Sequence, residues 1–216
     1  MKVSYIDHSG VSIEFKDRIL FFDYVKGKAN LPLDKKIYFF VSHHHQDHYN
    51  EKIFTLPHPH LNIILSDDID HSLGLKVKAH QDMMIDDMHV MCLKSTDEGV
   101  AFIVEVCGKR IFFAGDYHAW LWEIENDEDQ MWTDQMMDLY QQEFELLKKY
   151  HYDMIFYPVD FRLKENTYYG LDKILDEVSF DYLMPIHFWN DMHLLEETNK
   201  KDSRILNLLE NKEFKL

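Results

Sequence analysis

The stretch Ile37-Tyr38-Phe39-Phe40-Val41-Ser42-His43-His44-His45-Gln46-Asp47-His48 decides how this chain folds. Its first half is an apolar run rich in β-branched and aromatic residues, which is typical of a buried strand. The histidines come where that strand ends. Side chains at positions 43 and 45 still point to the same side there, because strand side chains alternate with a period of two residues.

The histidine-rich half of this stretch predicts a metal site. His43 and His45 can hold one ion from one side of the strand end, and Asp47 and His48 can hold a second from the turn that follows. Imidazole combined with carboxylate suits zinc first, with iron or manganese as alternatives. A solvated histidine-rich loop is the other interpretation, but the internal aspartate and the preceding strand disfavour it. His44 alternates away from its neighbours and is expected to pack instead of binding metal.

A coarse pass along the chain predicts a mixture of strands and helices. The helices are expected near 47–54, 133–150, 170–178 and 195–209. The second of these carries apolar residues at helical spacing, which make one buried face. Periodicity alone therefore indicates only that α and β elements are mixed.

The histidine stretch fits the HxHxDH motif of the metallo-β-lactamase fold superfamily, and the chain resembles that superfamily along most of its length. Further segments similar to it follow in the same order: a first hairpin at 3–14, a strand ending in Asp23, a strand ending in Gly115-Asp116 and a late strand ending in His187. The details resemble most the small lactonase-type hydrolases, near the ascorbate-6-phosphate lactonase branch. The resemblance implies an α/β (α+β) fold, a four-layer αββα sandwich, with residues 1–216 as a single domain.

The resemblance also implies a set of metal ligands. In the superfamily the equivalent of Asp116 bridges two metal ions, and the equivalent of His187 is the last histidine ligand. The full predicted set is His43, His45, Asp47, His48, Asp116 and His187. Asp23 could accept a hydrogen bond from one of these histidines, since metal-bound imidazoles usually need such an acceptor. A strand-terminal turn residue is the alternative reading of Asp23.

One histidine that the resemblance leads us to expect is absent. The superfamily places a third imidazole beside the equivalents of the first two, but residues 91–116 contain no histidine. Zinc sites normally use three or four protein ligands, so Asp97 or Glu98 could supply the missing ligand atom. His118 could also reach back to the metal, and otherwise this part of the site is empty. We therefore expect one firmly held ion and a second, weaker one.

Composition sets limits on the possible partners. With 216 residues, of which 46% are hydrophobic, the chain can bury a large core. Its net charge of −16 disfavours nucleic acid as a partner, because phosphate contacts are chiefly electrostatic. The chain opens with neither a long apolar segment nor a cleavage-site pattern, so we expect a cytoplasmic protein that does not associate with membranes. The oligomeric state stays open.

The predicted site indicates metal-assisted hydrolysis. A bound divalent ion brings the pKa of water towards neutrality and polarises a carbonyl or phosphoryl oxygen. The predicted catalytic residues are Asp116, which would orient the water, and Asp47, which could bind the second ion or accept a proton. The substrate is expected to be a small-molecule ester, lactone, amide or phosphoester, and the resemblance favours an ester or lactone. A metal-binding sensor or scaffold of the same fold without turnover is the alternative.

Side chains near the predicted ligands are candidates for contact with the substrate. Trp120 and Trp189 closely follow two of the ligands, and Arg162 lies in a loop after a predicted strand. Aromatic residues beside a metal commonly wall a pocket, and arginine can anchor a carboxylate or phosphate. A hydrophobic clamp and a surface salt bridge are the respective alternatives. His8 could face the site from the first hairpin turn, but an ordinary turn histidine is the favoured interpretation.

Overall fold

Two large sheets make up most of the structure, a computed structural model that describes residues 1–216. The first sheet contains, in spatial order, β13 (Glu213–Lys215), β1 (Lys2–Asp7), β2 (Gly10–Glu14), β3 (Arg18–Phe22), β4 (Lys36–Val41), β5 (Leu61–Ser66) and β6 (Leu75–Val77). The second contains β12 (Ser179–Ile186), β11 (His151–Pro158), β10 (Lys109–Phe113), β9 (Val100–Val106), β8 (Met88–Lys94) and β7 (Asp82–Ile85). The helices are α1 (Asp127–Leu147), α2 (Tyr169–Glu177) and α3 (Met192–Asn199).

Aromatic side chains fill the space between the two sheets. Phe22 of β3 stacks on Phe40 of β4 at 5.0 Å and on Phe113 of the opposite sheet at 4.9 Å between ring centroids. Phe40 meets Phe102 of β9 edge to face at 5.3 Å. All four rings are buried, so the strands that the sequence marked as apolar hold the sheets together through their inner faces.

The outer faces of the sheets are covered unequally. On the second sheet, α1 buries Tyr140 and Phe144, and Tyr140 stacks on Tyr117 at 5.2 Å. On the first sheet, the outer residues of β3 and β4 cluster with Ile53 from a short 3₁₀ helix, Glu51–Thr55. The predicted fold class is confirmed, with a thinner outer layer on the first sheet than on the second.

The predicted helix bounds need correction. The helix expected near 47–54 is wrong, because Asn50 has an extended backbone and its side chain accepts from the Lys52 N–H, which leaves only the 3₁₀ turn. The long helix α1 begins at Asp127, since the Asn126 side chain accepts from two amide groups of its first turn. The last helix, α3, ends at Asn199 instead of continuing to 209. None of the helices combines the length and apolar character needed to cross a bilayer.

Parallel strand pairs bring the polar ends of several strands to one edge of the molecule. In the first sheet β3 and β4 are parallel, and in the second β10, β11 and β12 are parallel to one another. The residues within three positions after these strands include Asp23, His43, Asp116, Asp160 and His187. Ligands of sheet proteins usually bind beyond the carboxyl ends of the strands, so this edge is where a site is expected.

Candidate metal centre

Asp116 lies in the middle of the predicted ligands. Its Oδ1 is 3.1 Å from His48 Nε2 and 3.6 Å from His187 Nε2. Its Oδ2 lies 3.7 Å from His43 Nε2. The two oxygens of this buried carboxylate therefore face two different groups of ligands, which is the arrangement that a bridging carboxylate requires.

One group, the inner site, contains His8, Asp47, His48 and His187. Their potential ligand atoms all lie within 4.8 Å of one another. His48 and His187 are buried, with side chains 0% and 2% exposed. Asp47 Oδ2 lies 3.3 Å from His8 Nε2 and 3.9 Å from His48 Nε2. The inner site is thus rich in imidazole, with Asp116 Oδ1 at its edge.

The other group, the outer site, contains His43, His45, Asp97 and Asp116, again within 4.8 Å. His45 Nδ1 lies 3.4 Å from Asp97 Oδ2, and the two side chains are 42% and 36% exposed. Asp97 therefore lies where the absent third histidine was expected. Glu98, the other residue considered for that place, instead groups with the exposed pair His44 and Asp68.

Two glycines allow the outer loops to approach the end of β4. Gly99 has a φ of +64°, and a Cβ there would lie 2.1 Å from the Ser42 carbonyl oxygen and 2.8 Å from His43 Cβ. Gly115 has a φ of +54°, and a Cβ there would lie 2.7 Å from the Ser42 hydroxyl. Only glycine tolerates both the backbone conformation and the close approach. These two positions hold Asp97 and Asp116 against the histidine stretch.

The centre contains buried polar atoms that have no hydrogen-bond partner in the protein. They are Nε2 of His8, His43 and His48, and Oδ1 of Asp116; His48 Nε2 and Asp116 Oδ1 lie 3.1 Å apart but do not form a hydrogen bond of suitable geometry. Buried polar atoms of native proteins nearly always have a partner. These atoms carry lone pairs and converge on one region, so a divalent cation would satisfy them together. The residues present therefore fit a metal centre, with imidazole and carboxylate as its ligands.

The ionisation of these groups differs between the two sites. Although burial disfavours a charged His48, the Asp116 and Asp23 carboxylates raise its pKa well above the usual value, so this imidazole must lose a proton when an ion binds. Burial, reinforced by the neighbouring His48, lowers the pKa of His43 to about 3, so its imidazole is neutral and can bind metal. Burial and the Asp116 carboxylate raise the pKa of Asp97. Burial also disfavours the charged form of Asp116, but the nearby His48 and His187 hold its pKa well below the usual range. The resulting concentration of carboxylate charge favours a bound cation.

Asp23 holds one histidine of each site through the ring nitrogen Nδ1, directly in one case and through a hydroxyl in the other. Its Oδ2 lies 2.7 Å from His48 Nδ1, which leaves Nε2 of that ring facing the inner site. The same oxygen accepts a 2.6 Å hydrogen bond from the Ser42 hydroxyl, which lies 2.9 Å from His43 Nδ1. Asp23 is buried and has a φ of +44°, a strained conformation of the kind found at functional sites. One carboxylate thus orients two imidazoles, one directly and one through a hydroxyl.

Asp160 has the corresponding role for His187, and the sequence analysis did not identify it. Its Oδ2 lies 3.0 Å from His187 Nδ1 and accepts a 3.1 Å hydrogen bond from Trp189 Nε1. The Arg162 guanidinium donates to both of its oxygens. Although burial opposes ionisation, these partners lower the pKa of Asp160. The available signal was an aspartate shortly after a strand that is parallel to the one delivering His187.

His8 lies in the first hairpin turn and faces the metal centre, whereas the sequence favoured an ordinary turn histidine there. The hairpin between β1 and β2 packs against the end of β12, and the His187 N–H donates to the His8 carbonyl oxygen at 3.2 Å. The His8 ring lies 4.3 Å from the His187 ring and 4.5 Å from the Trp189 ring. His118, the other histidine considered, does not group with the ligands. It is buried between Tyr157 and Trp120, and burial lowers its pKa to about 3.

The three predicted substrate contacts lie around His187. Trp120 is buried, donates from Nε1 to the Asp116 carbonyl oxygen, and turns an edge to His187 at 5.7 Å. Trp122 stacks on Trp120 at 5.7 Å. The Arg162 guanidinium lies 4.6 Å from the Trp189 ring and 5.4 Å from the Trp122 ring. Arginine and tryptophan side chains therefore form one wall beside the metal centre.

Solved structures resemble the chain over nearly its whole length. A candidate metal-dependent hydrolase from Parabacteroides distasonis is 19% identical with a TM-score of 0.68, over 94% of this chain and 89% of that one. Igni18, a metallo hydrolase from Ignicoccus hospitalis, is 13% identical with a TM-score of 0.68, over 100% and 98%. YhfI, a metallo-β-lactamase fold protein from Bacillus subtilis, is 15% identical with a TM-score of 0.64, over 99% of each chain.

At these identities the likeness concerns the fold. No protein-family model and no curated protein matches the sequence. The two-sheet architecture superimposes on these solved structures with TM-scores of 0.64 to 0.68 over at least 89% of each chain. The chain has the metallo-β-lactamase fold.

Proposed function

We propose that the protein is a metal-dependent hydrolase that cleaves a small-molecule ester, lactone, amide or phosphoester. The observation that carries this proposal is the convergence of unpartnered imidazole nitrogens on the two oxygens of Asp116. Each buried atom without a partner costs stability unless a ligand satisfies it, so these atoms support a bound metal. The fold that the chain shares with metal-dependent hydrolases supports turnover at that metal. The sensor or scaffold alternative has no comparable observation in its favour.

Eight residues are proposed to hold the ions: the six ligands predicted from the sequence, and His8 and Asp97, which group with them in the structure. His48, His187 and Asp47 would hold the inner ion with His8, and His43, His45 and Asp97 the outer ion, with Asp116 shared. The inner set suits zinc, and the carboxylate in the outer set also accommodates manganese or iron. When bound, such ions bring the pKa of water towards neutrality and polarise the oxygen of the scissile group.

The chain's own residues then have separable tasks. Asp116, fixed beneath both sites, would accept a hydrogen bond from the attacking water and so orient it. Asp47 is half-exposed, so its oxygen that does not bind the ion can take up the proton released during attack and pass it to solvent. Asp23 and Asp160 hold the ligand rings in one orientation. Trp120 closes the floor of the site and excludes water from one side.

Among the four bond types, we favour a carbon–oxygen ester or lactone, as in the lactonase-type hydrolases that the sequence resembles. The test is hydrolysis of a p-nitrophenyl ester, a simple γ-lactone, a p-nitroanilide and bis-p-nitrophenyl phosphate by metal-loaded protein, compared with an Asp116→Ala variant. We expect hydrolysis that depends on added metal and disappears in the variant, while circular dichroism shows the fold retained. Hydrolysis that survives Asp116→Ala would overturn the mechanism, and a metal-loaded protein inactive on all four bond types would favour the scaffold.

A further inference from the structure

A positively charged side chain is fixed beside the metal centre with part of its hydrogen-bonding capacity unused. Arg162 is held between the faces of Trp122 and Trp189. Its Nε and Nη2 donate to Asp160, while no protein group accepts from its Nη1. The side chain is 42% exposed, so the Nη1 edge of the guanidinium is open to a ligand.

The same carboxylate ties this guanidinium to the metal centre. Asp160 Oδ2 lies 2.5 Å from Arg162 Nη2 and 3.0 Å from His187 Nδ1, so the arginine and the ligand histidine share one oxygen atom. The Trp189 indole donates to that oxygen as well. The position of Arg162 relative to His187 is therefore set by short, charge-assisted contacts and by stacking on two rings.

A cavity of about 570 Å³ opens on the side of Arg162 that faces Trp122. Its walls come from the segments 121–124 and 162–166, which contain no metal ligand, so Arg162 links this cavity to the metal centre through Asp160. This volume lies in the range of about 300–1,000 Å³ found for small-molecule sites. The other nearby cation, Lys164, is paired with Glu123 and is exposed, which leaves Arg162 as the ordered cation of the wall.

We infer that Arg162 binds a carboxylate or phosphate group of the substrate, so that the protein acts on esters or lactones which carry an oxyanion near the scissile bond. This inference rests on the proposed function and adds the class of substrate. A guanidinium fork suits oxyanions because it presents parallel N–H groups and stays charged. In a chain with a net charge of −16, a fixed cation beside the ions also gives an anionic substrate a defined place.

A second Asp-x-Arg pair in the chain provides a matched control. Arg204 donates from Nε and Nη2 to Asp202 and lies 4.0 Å from the Phe180 ring, but it also donates to the Leu175 carbonyl oxygen. It therefore repeats the sequence spacing and the aromatic contact of Arg162 at a place that does not adjoin a metal ligand. Replacing Arg204 removes the same charge from the protein without changing the wall.

The first experiment measures binding without turnover. Isothermal titration of metal-loaded protein uses butyrate, propyl phosphate and the neutral, isosteric butyramide as probes. We expect the preferred anion to bind at least about tenfold more tightly than butyramide and to lose about tenfold or more in Arg162→Ala, as expected for a hydrogen bond to a charged group. Arg204→Ala should bind like the wild type. The tighter of the two anions identifies the group as carboxylate or phosphate.

Metal content is measured on every variant, and Arg162→Lys serves as a second variant in case Arg162→Ala does not fold. Lysine keeps the charge but loses the fork, so its affinity for the anion should fall between those of the wild type and Arg162→Ala. Equal anion affinity in wild type, Arg162→Ala and Arg162→Lys at equal metal content would overturn the inference, since the ions alone would then hold the anion. So would butyramide binding as tightly as both anions.

A kinetic comparison separates this inference from the proposed function. Wild-type protein is assayed with p-nitrophenyl acetate and with the mono-p-nitrophenyl ester of succinic acid, which adds a carboxylate. A preference in kcat/KM for the succinate ester that falls about tenfold or more in Arg162→Ala supports the inference. Hydrolysis of both esters without such a preference contradicts the inference alone. If neither ester is cleaved, the proposed function loses support, while anion binding still decides the role of Arg162.

Discussion

The inner and outer sites share Asp116 but differ in how their ligands are supported. His48 and His187 of the inner site are buried, and each has a buried carboxylate behind its Nδ1, from Asp23 and Asp160 respectively. In the outer site only His43 is buried like these two histidines, whereas His45 and Asp97 are 42% and 36% exposed and have only each other as a close charged partner. Asp47, at 38% exposed, is the one comparable ligand of the inner site. Preorganised ligands with supported rings bind metal more tightly than mobile ones. Burial of the ligands and the carboxylates that hold their rings, more than the number of ligands, therefore make the two sites differ in metal affinity.

The largest expected effect comes from removing one imidazole from each site. His48→Ala should abolish binding of the inner ion and all hydrolysis, because it deletes a buried ligand and leaves Asp23 without its partner. His45→Ala should release only the outer ion and leave the inner ion bound. Metal content after gel filtration, measured by elemental analysis, checks both. If His45→Ala lost the inner ion while His48→Ala retained it, the assignment of these histidines to the two sites would be wrong.

A smaller effect on metal affinity is expected at Asp97, the carboxylate proposed to replace the absent third histidine. Asp97→His should tighten zinc at the outer site, since it replaces an exposed carboxylate with the imidazole that zinc favours. Asp97→Ala should weaken the outer ion without changing the inner one. Competition with a zinc chelator measures both affinities, and Glu98→Ala is the matched control because Glu98 faces His44 and Asp68. An Asp97→Ala variant that binds the outer ion like the wild type would remove Asp97 from the site.

The support behind the inner site can be weakened without touching a ligand. Asp23→Asn should reduce the affinity for the inner ion by about 10- to 100-fold, the usual cost of losing a second-layer carboxylate. The reason is that an amide no longer fixes the His48 tautomer as a carboxylate does. Zinc titration monitors the affinity, and thermal unfolding of the metal-free protein serves as the control for a general loss of stability. Unchanged affinity would mean that burial alone orients His48.

The smallest effect is expected for the link between Asp23 and the outer site. Ser42→Ala removes the hydroxyl that hydrogen-bonds both Asp23 and His43 Nδ1. Of these two bonds, the one to His43 supports the outer ion, and its loss costs about 0.5–1.5 kcal/mol net. This corresponds to roughly a two- to tenfold weaker outer ion. The inner ion should bind as before, because the Asp23–His48 contact remains. A larger loss at the inner than at the outer site would show that the hydroxyl supports Asp23 itself.

Most strands could be predicted because they are long apolar runs with clear ends. Those runs indicated only a mixture of α and β elements, and the fold class was predicted from the resemblance to the metallo-β-lactamase superfamily. The sequence also marked the strand-end residues Asp23, Asp116 and His187, whose convergence follows from parallel strands that finish at one edge. Their assignment as ligands remains a prediction until a metal is measured. The short edge strands β6, β7 and β13 escaped prediction, since three or four residues carry too little pattern.

What the sequence could not predict depends on how loops meet. His8 reaches the site only because the first hairpin packs against the end of β12, a contact between residues far apart in the chain. The choice among Asp97, Glu98 and His118 depends on the turn that Gly99 permits, and strand periodicity does not extend into that turn. Asp160 had no role predicted from the sequence, because only the structure shows that it lies between Arg162 and His187.

The most direct test of the account is the stepwise removal of metal from fully loaded wild-type protein. Zinc released to a graded chelator series would be counted per chain, with His45→Ala and His48→Ala used to assign each step. We expect two equivalents of zinc per chain, whose binding affinities differ by at least about tenfold, or ~1.4 kcal/mol. The inner ion should be the last to be removed. Two ions of equal affinity, an outer ion that leaves last, or no bound metal in folded protein would contradict this prediction.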